Sequence, residues 1–441
     1  MNPELQRNLW LEASPFRLAL IAGLLFLVFG VGTVAPERLM TSHGAALGLY
    51  WFFAVLWGTR SAALSVVVEI RERTWDGQKL SSIGPWTMVW GKLFGATAAN
   101  WFGALICLFF ILVPMTHEVG VGPALLYGLI LLSLGVFAQS VALLSSLALI
   151  RRQTGNWRLD TFLCQVAGVG AAFAYYSLWN SIGAFERSGM ESVVWWGQTF
   201  SLGGFHLVSL LLFLAWALIG CWRAMRAELR FANGPYVWLA YLAYTAIYTA
   251  GFSSQIFRPR NFAMMPEGIP AGSLPLMLAG LTLVASAYGM AFLEPKDPVR
   301  LRWLGEQVRA RRFHAAFLAL DCWMLSYAAA LAVGLVLALQ WMGTPNVALM
   351  VVAVLGFLTR DICIFLLARF VAGPKGDFGA LAILAALYLV VPTVFWRAQL
   401  GFVLLPMSDG NAGLSALAAW AQGLALVWWV GHAIRYEGGV R

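Results

Sequence analysis

Long apolar runs recur along the whole 441-residue chain, and they constrain its fold more than any other feature. A helix that crosses a bilayer needs roughly 20 consecutive apolar residues, because its backbone polar groups must all be satisfied within the segment. Apolar residues make up 61% of the sequence and charged residues only 11%, whereas soluble domains hold about half and about a quarter. We therefore expect an all-α polytopic membrane protein without a sizeable soluble domain.

Apolar windows bounded by charged or turn residues predict twelve spans with short connections. The first six lie near 17–34, 45–68, 93–115, 122–149, 160–178 and 203–222. The second six lie near 236–255, 273–293, 316–340, 346–368, 379–396 and 413–434. This count predicts a six-helix domain over 1–230 and a second six-helix half over 231–441.

The positive residues predict the orientation, since cytoplasmic loops of membrane proteins are enriched in Lys and Arg. Of the 29 Lys and Arg residues, two lie inside spans, five lie in outer loops and the other twenty-two lie on the opposite side. The five in outer loops are Arg38, Arg187, Arg258, Arg260 and Arg397. Both termini are therefore expected in the cytoplasm. The net charge of +9 follows from this topology and does not indicate a nucleic-acid partner.

Two smaller patterns concern packing and the membrane surface. Residues 300–313 place Leu301, Leu304 and Val308 on one side and arginines on the other, which predicts an interfacial helix. A solvated basic loop is the alternative. The five cysteines lie in apolar runs without a CxxC pair, so we interpret them as small core residues.

The segment most informative about function is 68–95, on the inner side between the second and third spans. Charged residues end the second span, and Thr74 is placed to cap a short new helix. A Gly-Pro turn then puts Pro85 at the first position of the third span, and Gly91 and Gly95 form a GxxxG face for close packing. We expect a short, charged, anchored helix through which a soluble motor can push on the spans. A well-capped basic loop is the plainer interpretation.

This segment resembles the signature of the permeases of type 2 ABC exporters. That signature is a Glu-rich stretch with Arg-Thr, then a Leu-Ser/Thr-x-x-Pro turn, then a Gly-Lys-Leu triplet. The corresponding residues, with one residue more between Ser81 and Pro85, are Glu69, Glu72, Arg73, Thr74, Leu80, Ser81, Pro85, Gly91, Lys92 and Leu93. The resemblance extends more loosely over the first six spans. It implies that residues 69–92 form a coupling segment that docks on a separate ATPase subunit. The implied coupling residues are Glu69, Glu72, Arg73, Thr74, Asp76, Leu80, Pro85 and Lys92.

The chain itself carries no motif of an enzyme. Gly91-Lys92 is followed by Leu93 rather than Ser or Thr, so it is no Walker A motif, and neither HExxH nor GxSxG occurs. The five histidines lack the spacing of metal ligands. The resemblance implies a non-enzymatic permease subunit of a bacterial inner membrane that binds no cofactor, with ATP and Mg held by the partner ATPase.

The arrangement of subunits stays open at this stage. Permeases of this family usually have six spans, so for a chain with twelve a homodimer, a pairing with a second permease and a pseudo-dimeric single chain all stay open. Residues 51–60 echo 351–360, which places Arg60 and Arg360 at matching depths of the second and tenth spans. An internal duplication, leaving the second half a degenerate repeat, and chance similarity both explain this echo. The segment after the tenth span lacks the Glu-Arg-Thr signature, so one docking segment per chain is expected.

Four charged residues fall within predicted spans, where each costs about 2.5–3.5 kcal/mol to insert. They are Arg60, Arg360, Asp361 and Asp321, and we expect them to face the bundle interior. Their role is a gate or a contact with a substrate headgroup, with an arginine paired to an acid such as Asp321; a structural ion pair or snorkelling is the alternative. Asp321 and Asp361 are also the ion-carrier candidates if the chain is instead a secondary transporter driven by an ion gradient.

Overall fold

A computed structural model describes most of the chain. The described residues are 2–33, 39–80, 83–150, 157–185, 192–256, 271–390, 401–408 and 410–436. Within these ranges the regular structure is helical apart from one short β-hairpin. The chain divides into two compact units, Met1–Val193 with Phe200–Asn233 and Val194–Thr199 with Gly234–Arg441.

The first unit begins with a polar helix that bends into an apolar one. Helix α1 (Pro3–Glu12) is capped by the side chain of Asn2, which accepts hydrogen bonds from the backbone nitrogens of Glu4 and Leu5 at 3.0 and 3.1 Å. Helix α2 (Pro15–Thr33) starts on a proline, and the two helices meet at 58°. The bend follows from the break at residues 13–14 and from the missing N–H of Pro15.

The second predicted span is one long helical run with a π-helical centre. It comprises α3 (Leu39–Tyr50), the π-helical segment Trp51–Trp57 and α4 (Gly58–Arg71). A π turn shifts the backbone hydrogen bonds and needs other donors for its carbonyls. Here the Gln139 amide donates to the Ala54 carbonyl oxygen at 2.8 Å. Gly58 makes room for that amide, because a Cβ there would lie 2.3 Å from the Gln139 Nε2.

Short helices then lead into the remaining long helices of this unit. They are α5 (Trp75–Lys79), α6 (Pro85–Trp90), the π-helical Gly91–Gly95, α7 (Ala98–Val119), α8 (Val121–Ile150), α9 (Trp157–Phe185) and α10 (Leu202–Glu228). Strands β1 (Ser192–Trp195) and β2 (Gln198–Ser201) form a hairpin. Its turn residues Trp196 and Gly197 both have positive φ, the conformation of a tight two-residue hairpin turn. Helix α8 packs against α4, α7, α9 and α10.

The second unit is built around one deeply buried helix. Its elements are α11 (Tyr236–Ala250), α12 (Ser253–Ile256), α13 (Leu274–Leu293), α14 (Pro298–Arg309), α15 (Phe313–Leu318), α16 (Cys322–Gln340), α17 (Pro345–Ala372), α18 (Gly376–Ala385) with the π-helical Ala386–Val390, and α19 (Ala412–Tyr436). Helix α17 packs against α13, α16, α18 and α19. It carries the core of the unit, with Phe365 and Leu358 fully enclosed.

Nine helices in the described part of the chain are long and apolar enough to cross a membrane, and each coincides with a predicted span. They are His43–Arg71, Ala98–Val119, Val121–Leu149, Trp157–Trp179, Leu202–Glu228, Leu274–Leu293, Cys322–Gln340, Pro345–Ala372 and Ala412–Arg435. The chain is therefore a multi-pass membrane protein. The bent pair α1 and α2 qualifies as a tenth if it is counted as one span.

Two predicted spans take another form. The span predicted at 236–255 is divided into α11 and α12, because the chain turns at Gly251. The Gly251 carbonyl accepts a hydrogen bond from the Trp196 nitrogen at 2.9 Å, and a Cβ at Gly251 would lie 2.1 Å from the Trp195 indole nitrogen. The span predicted at 379–396 begins as a helix over Gly376–Val390, and the rest of it lies outside the described residues.

Two smaller predictions are also settled by the structure. All five cysteines are free and buried, as small core residues should be. Helix α14 forms over most of 300–313. Asp297 caps its start, because the carboxylate accepts a hydrogen bond from the Val299 nitrogen at 2.9 Å. None of its residues is buried, and its position at a membrane surface stays a prediction.

Candidate functional site

The segment between the second and third spans projects a turn whose outer side chains are exposed. Helix α4 ends at Arg71, and Arg73 adopts a left-handed conformation with φ of 58°. This lets the Thr74 nitrogen donate to the Glu69 carbonyl oxygen at 2.9 Å, which ends the helix and redirects the chain into α5. We call residues 72–80 the projecting turn. Its exposed side chains are those of Glu72, Arg73, Thr74, Asp76 and Leu80, and Leu80 is 88% exposed.

The projecting turn is anchored by its inward-facing residues. Trp75 is buried in an apolar cluster formed with residues of α4, α6, α8 and α10. The Gln78 amide donates to Glu69 Oε1 at 2.6 Å. Lys79 Nζ lies 3.5 Å from a carboxylate oxygen of Glu228, at the end of α10. A five-residue helix is unstable alone, so these contacts hold α5 in place.

Beneath the turn lies a buried network of charges. Lys92 is fully buried, and its ammonium is paired with Glu69, lies 3.3 Å from Glu4 Oε1 and donates to the Ser65 carbonyl oxygen at 3.1 Å. The Arg7 guanidinium pairs with Glu69 as well and lies 2.9 Å from Glu4. Two carboxylates thus face two cations, which offsets the cost of placing them away from water. The network joins α1, α4 and the π-helical Gly91–Gly95.

Close backbone packing reinforces this joint. A Cβ at Gly91 would lie 2.5 Å from the Glu4 Cγ, and one at Gly95 would lie 2.7 Å from the Asn8 Cβ. The Asn8 amide donates to the Gly91 carbonyl oxygen at 3.2 Å. The prediction that the two glycines form a close-packing face is therefore confirmed, and the helix packed against them is α1.

The structure separates the predicted coupling residues into two groups. Glu72, Arg73, Asp76 and Leu80 lie at the exposed surface of the projecting turn, where a partner can reach them. Glu69 and Lys92 lie inside the protein, where they hold the base of the turn, and their role in coupling stays a prediction. Their opposite charges compensate each other, which offsets the cost of burying them.

The predictions for Pro85 and Thr74 have different outcomes. Pro85 starts a helix, as its missing N–H favours, but this is the short helix α6 and not the third span, which is α7. Thr74 precedes α5, but its side chain caps nothing; the hydroxyl instead donates to the Glu69 carbonyl oxygen at 3.2 Å. The expected side-chain cap is therefore wrong, because Thr74 has helical dihedral angles (φ −86°, ψ −16°) instead of the extended conformation of a capping residue. Ser81 lies outside the described residues.

The expectation that Arg60 faces the bundle interior is wrong. Its side chain is exposed on α4 and makes no ion pair with a described residue. At this level of α4, the residue that faces the interior is Thr59, which lies next to Gly168 of α9. Arg60 lies on the second span of the first unit, whereas Arg360 lies on the central helix of the second unit. The segments 51–60 and 351–360 therefore do not occupy equivalent helices, and the structure does not support a duplication that aligns them.

Arg360 and Asp361 lie in the interior of the second unit, as expected, and they pair with each other. The Arg360 Nε donates to Asp361 Oδ1 at 2.8 Å, and its other nitrogens donate to the Gln422 Oε1 at 3.0 Å and the Tyr388 hydroxyl at 2.9 Å. The hydroxyls of Tyr288 and Tyr388 each donate to Asp361 Oδ2 at 2.6 Å. Both carboxylate oxygens are occupied, so the cluster satisfies itself without a ligand.

Asp321 lies at the start of α16 and pairs with Arg300 at 2.9 Å, so its expected pairing with Arg60 or Arg360 is wrong. Beside it, Glu294 accepts a hydrogen bond from the Trp323 nitrogen at 3.0 Å and so caps α16. Burial, and then the neighbouring Asp321 charge, raise the pKa of Glu294 to about 7. Burial also raises the pKa of Asp321, against the lowering effect of Arg300.

Sequence reasoning missed several partners in these clusters. Glu4 and Arg7 belong to α1 and meet Lys92 only through tertiary packing. Lys296 and Asp377 form a further buried ion pair of 2.7 Å in the second unit. Isolated ionisable residues at the edges of apolar runs are the only sequence signal that such pairs leave, and it does not name the partner.

Among the described residues, no group of three or more His, Cys, Asp or Glu is placed to hold a metal ion. The chain matches no family model, no curated protein and no solved structure. The two clusters are thus described by their geometry alone. One is the exposed projecting turn above the ion pairs of Glu69 and Lys92, and the other is the hydrogen-bonded network around Arg360 and Asp361 within α17.

Proposed function

We propose that the chain is the membrane subunit of an ATP-driven exporter of the type 2 ABC class, and that a separate ATPase subunit docks on the projecting turn. ATP and Mg are bound by that subunit, and this chain performs no hydrolysis. The observation that carries the proposal is the contrast between the exposed residues 72–80 and the rigid charged base beneath them. A loop without that base would absorb a displacement instead of transmitting it.

The contacts suggest how a displacement of the turn reaches the spans. Gln78 is bonded to Glu69 at the end of α4, and Glu69 is paired with Lys92, which precedes α7. Motion of α5 is therefore passed to two spans at once. Glu4 and Arg7 extend the same joint to α1. ATP-driven closure of the partner would shift the population between inward-open and outward-open arrangements of these helices.

The topology belongs to the same proposal. We infer twelve spans with both termini in the cytoplasm of a bacterial inner membrane, from the one-sided distribution of Lys and Arg. This places the projecting turn in the cytoplasm, where ATP is available. The substrate stays open, since the charge-poor spans suit many cargoes.

The second candidate function is transport driven by an ion gradient. The buried Asp361 favours it, because intramembrane carboxylates are the usual proton carriers. However, Asp361 accepts two phenol hydrogen bonds and faces Arg360, so protonation would break a satisfied cluster. Collapse of the proton gradient at constant ATP distinguishes the two: an exporter of the first kind keeps its activity, and a gradient-driven transporter loses it.

The proposal is tested by co-purification of ATP-binding proteins with the chain from its native membrane. We expect an ABC ATPase subunit to co-purify with the unaltered protein and to be lost or reduced at least tenfold with Leu80→Glu. Met342→Glu is the matched control, because Met342 is also an exposed apolar residue in a short connection. This connection joins α16 to α17, at the end of α16 opposite the segment that precedes that helix. Absence of an ATPase from the unaltered protein would contradict the proposal.

A further inference from the structure

The two units have the same order of helices. The first contains α2, the α3–α4 run, α7, α8, α9 and α10, and the second contains α11, α13, α16, α17, α18 and α19. In both units the fourth helix packs against the second, third, fifth and sixth helices of its own unit. The shared neighbours indicate an internal repeat in which α4 corresponds to α13 and α7 to α16, unlike the sequence echo that aligned α4 with α17.

In this alignment both units carry an insertion at the same place. The projecting turn lies between the second and third long helices of the first unit, and residues 294–321, with α14 and α15, lie between those of the second. We call residues 294–321 the second insertion. The distribution of Lys and Arg in the sequence predicts the cytoplasmic side for each of them.

The bases of the two insertions are also alike. In each unit a carboxylate at the end of the second helix contacts the chain at, or shortly before, the start of the third. Glu69 pairs with Lys92, which precedes α7, and Glu294 accepts a hydrogen bond from the Trp323 nitrogen of α16 at 3.0 Å. In the first unit Gln78 ties the insertion to Glu69. In the second, the Arg300 guanidinium lies 2.9 Å from Asp321 and donates to the Ala319 carbonyl oxygen at 2.8 Å.

The insertions also share a local turn geometry. Arg73 and Arg311 have φ of 58° and 57°, in the left-handed region that favours glycine. Each follows a helix and permits the same closing hydrogen bond, from the Thr74 nitrogen to the Glu69 oxygen and from the Arg312 nitrogen to the Gln307 oxygen, both at 2.9 Å. The same turn also occurs at Arg230, after α10 and outside both insertions. The alignment of the insertions therefore depends on the helix neighbours and on the bases.

The outer face of the second insertion is open to a partner. Leu301 and Phe317 pack against the core of the unit, whereas Trp303 and Val308 are more than two-fifths exposed. Exposed arginines surround them, with Glu306 as the one acid within α14. An anchored aromatic residue framed by arginines is the composition of a protein interface.

We propose that the second insertion is the counterpart of the projecting turn and that an ATPase subunit docks on it through an acidic surface. This rests on the proposed function and changes its stoichiometry. One chain provides both docking sites, so a pair of ATPase subunits binds a single chain and requires neither a homodimer nor a second permease. The two sites differ in charge, the first mixed and the second strongly basic, which favours two non-identical or asymmetrically seated ATPase subunits.

The mass of the complex, purified with the ATPase subunit that accompanies it, tests this proposal. We expect one chain with two ATPase subunits. Arg309→Glu should lower this to one ATPase subunit per chain, Leu80→Glu should do the same, and the double variant should bind none. Arg435→Glu is the matched control, because Arg435 is likewise exposed in the last turn of a helix but lies outside both insertions.

A photo-crosslinker at Trp303 identifies the occupant directly. Attachment to the ATPase supports the proposal, and attachment to lipid alone assigns α14 to the membrane surface and overturns it. One ATPase subunit per chain that is unaffected by Arg309→Glu would also overturn it, while the proposed function would stand. If no ATPase subunit binds the unaltered chain, the proposed function itself fails.

Discussion

The buried base of the projecting turn gives the sharpest energetic prediction. Replacing Lys92 with Met keeps much of the side-chain volume but removes the cation that faces Glu69 and Glu4. Breaking a buried ion pair by removing one partner costs about 3–5 kcal/mol. Here it leaves the carboxylates of Glu69 and Glu4 facing the single cation of Arg7. We expect Lys92→Met to lower the free energy of unfolding by that amount, and Glu69→Gln to have a cost of similar size.

The double variant tests the pairing itself. Lys92→Met with Glu69→Gln removes both charges, so it should cost less than the sum of the two single changes by about 1–3 kcal/mol. Arg17→Met is the control, since Arg17 and Glu12 form a partly exposed ion pair outside this network, a contact worth less than about 1 kcal/mol. The measurement is denaturant unfolding in detergent micelles followed by circular dichroism. A cost for Lys92→Met below about 1 kcal/mol, or strict additivity, would refute the reasoning.

Four further predictions follow from single contacts. Asp361→Asn leaves the Arg360 charge unpaired in the interior and should cost about 3–5 kcal/mol in the same unfolding assay. Gly95→Leu should displace α1, seen as faster proteolysis near residue 10, because its Cβ alone would collide with Asn8. Arg73→Gly should raise the free energy of unfolding by up to about 1 kcal/mol, since glycine takes a positive φ without strain. The pKa of Glu294 is raised to about 7, so the folded protein binds this proton up to a higher pH than the unfolded chain does. The free energy of unfolding should therefore fall as pH rises from the ordinary carboxyl range to about 7. Glu294→Gln should abolish this dependence on pH.

Much of the fold could be predicted because desolvation of the backbone dominates it. Runs of apolar residues long enough to span a bilayer must form helices, so nine predicted spans coincide with helices. Gly and Pro likewise predicted a helix start at Pro85 and the close packing at Gly91 and Gly95. These features depend on short stretches of chain, and a sequence displays them directly.

Which charges meet could not be predicted, because it depends on the face that a helix turns inward. Arg60 and Arg360 both follow a Thr within an apolar run, yet one is exposed and the other is buried. Helices that are apolar all round give no amphipathic pattern from which to read an inner face. The partners of Lys92 come from α1 and α4, and the alignment of α14 with the projecting turn emerges only from the shared helix neighbours.

A photo-crosslinker placed at position 80, in native membranes, tests the central claim most directly, since Leu80 is an almost fully exposed apolar residue of the projecting turn. We expect it to attach to a soluble ATPase subunit, with a yield that changes when ATP is added. A crosslinker at position 24, an exposed apolar position of α2, should attach to lipid instead. Failure of position 80 to capture any protein, with nucleotide absent, bound or hydrolysed, would contradict the account.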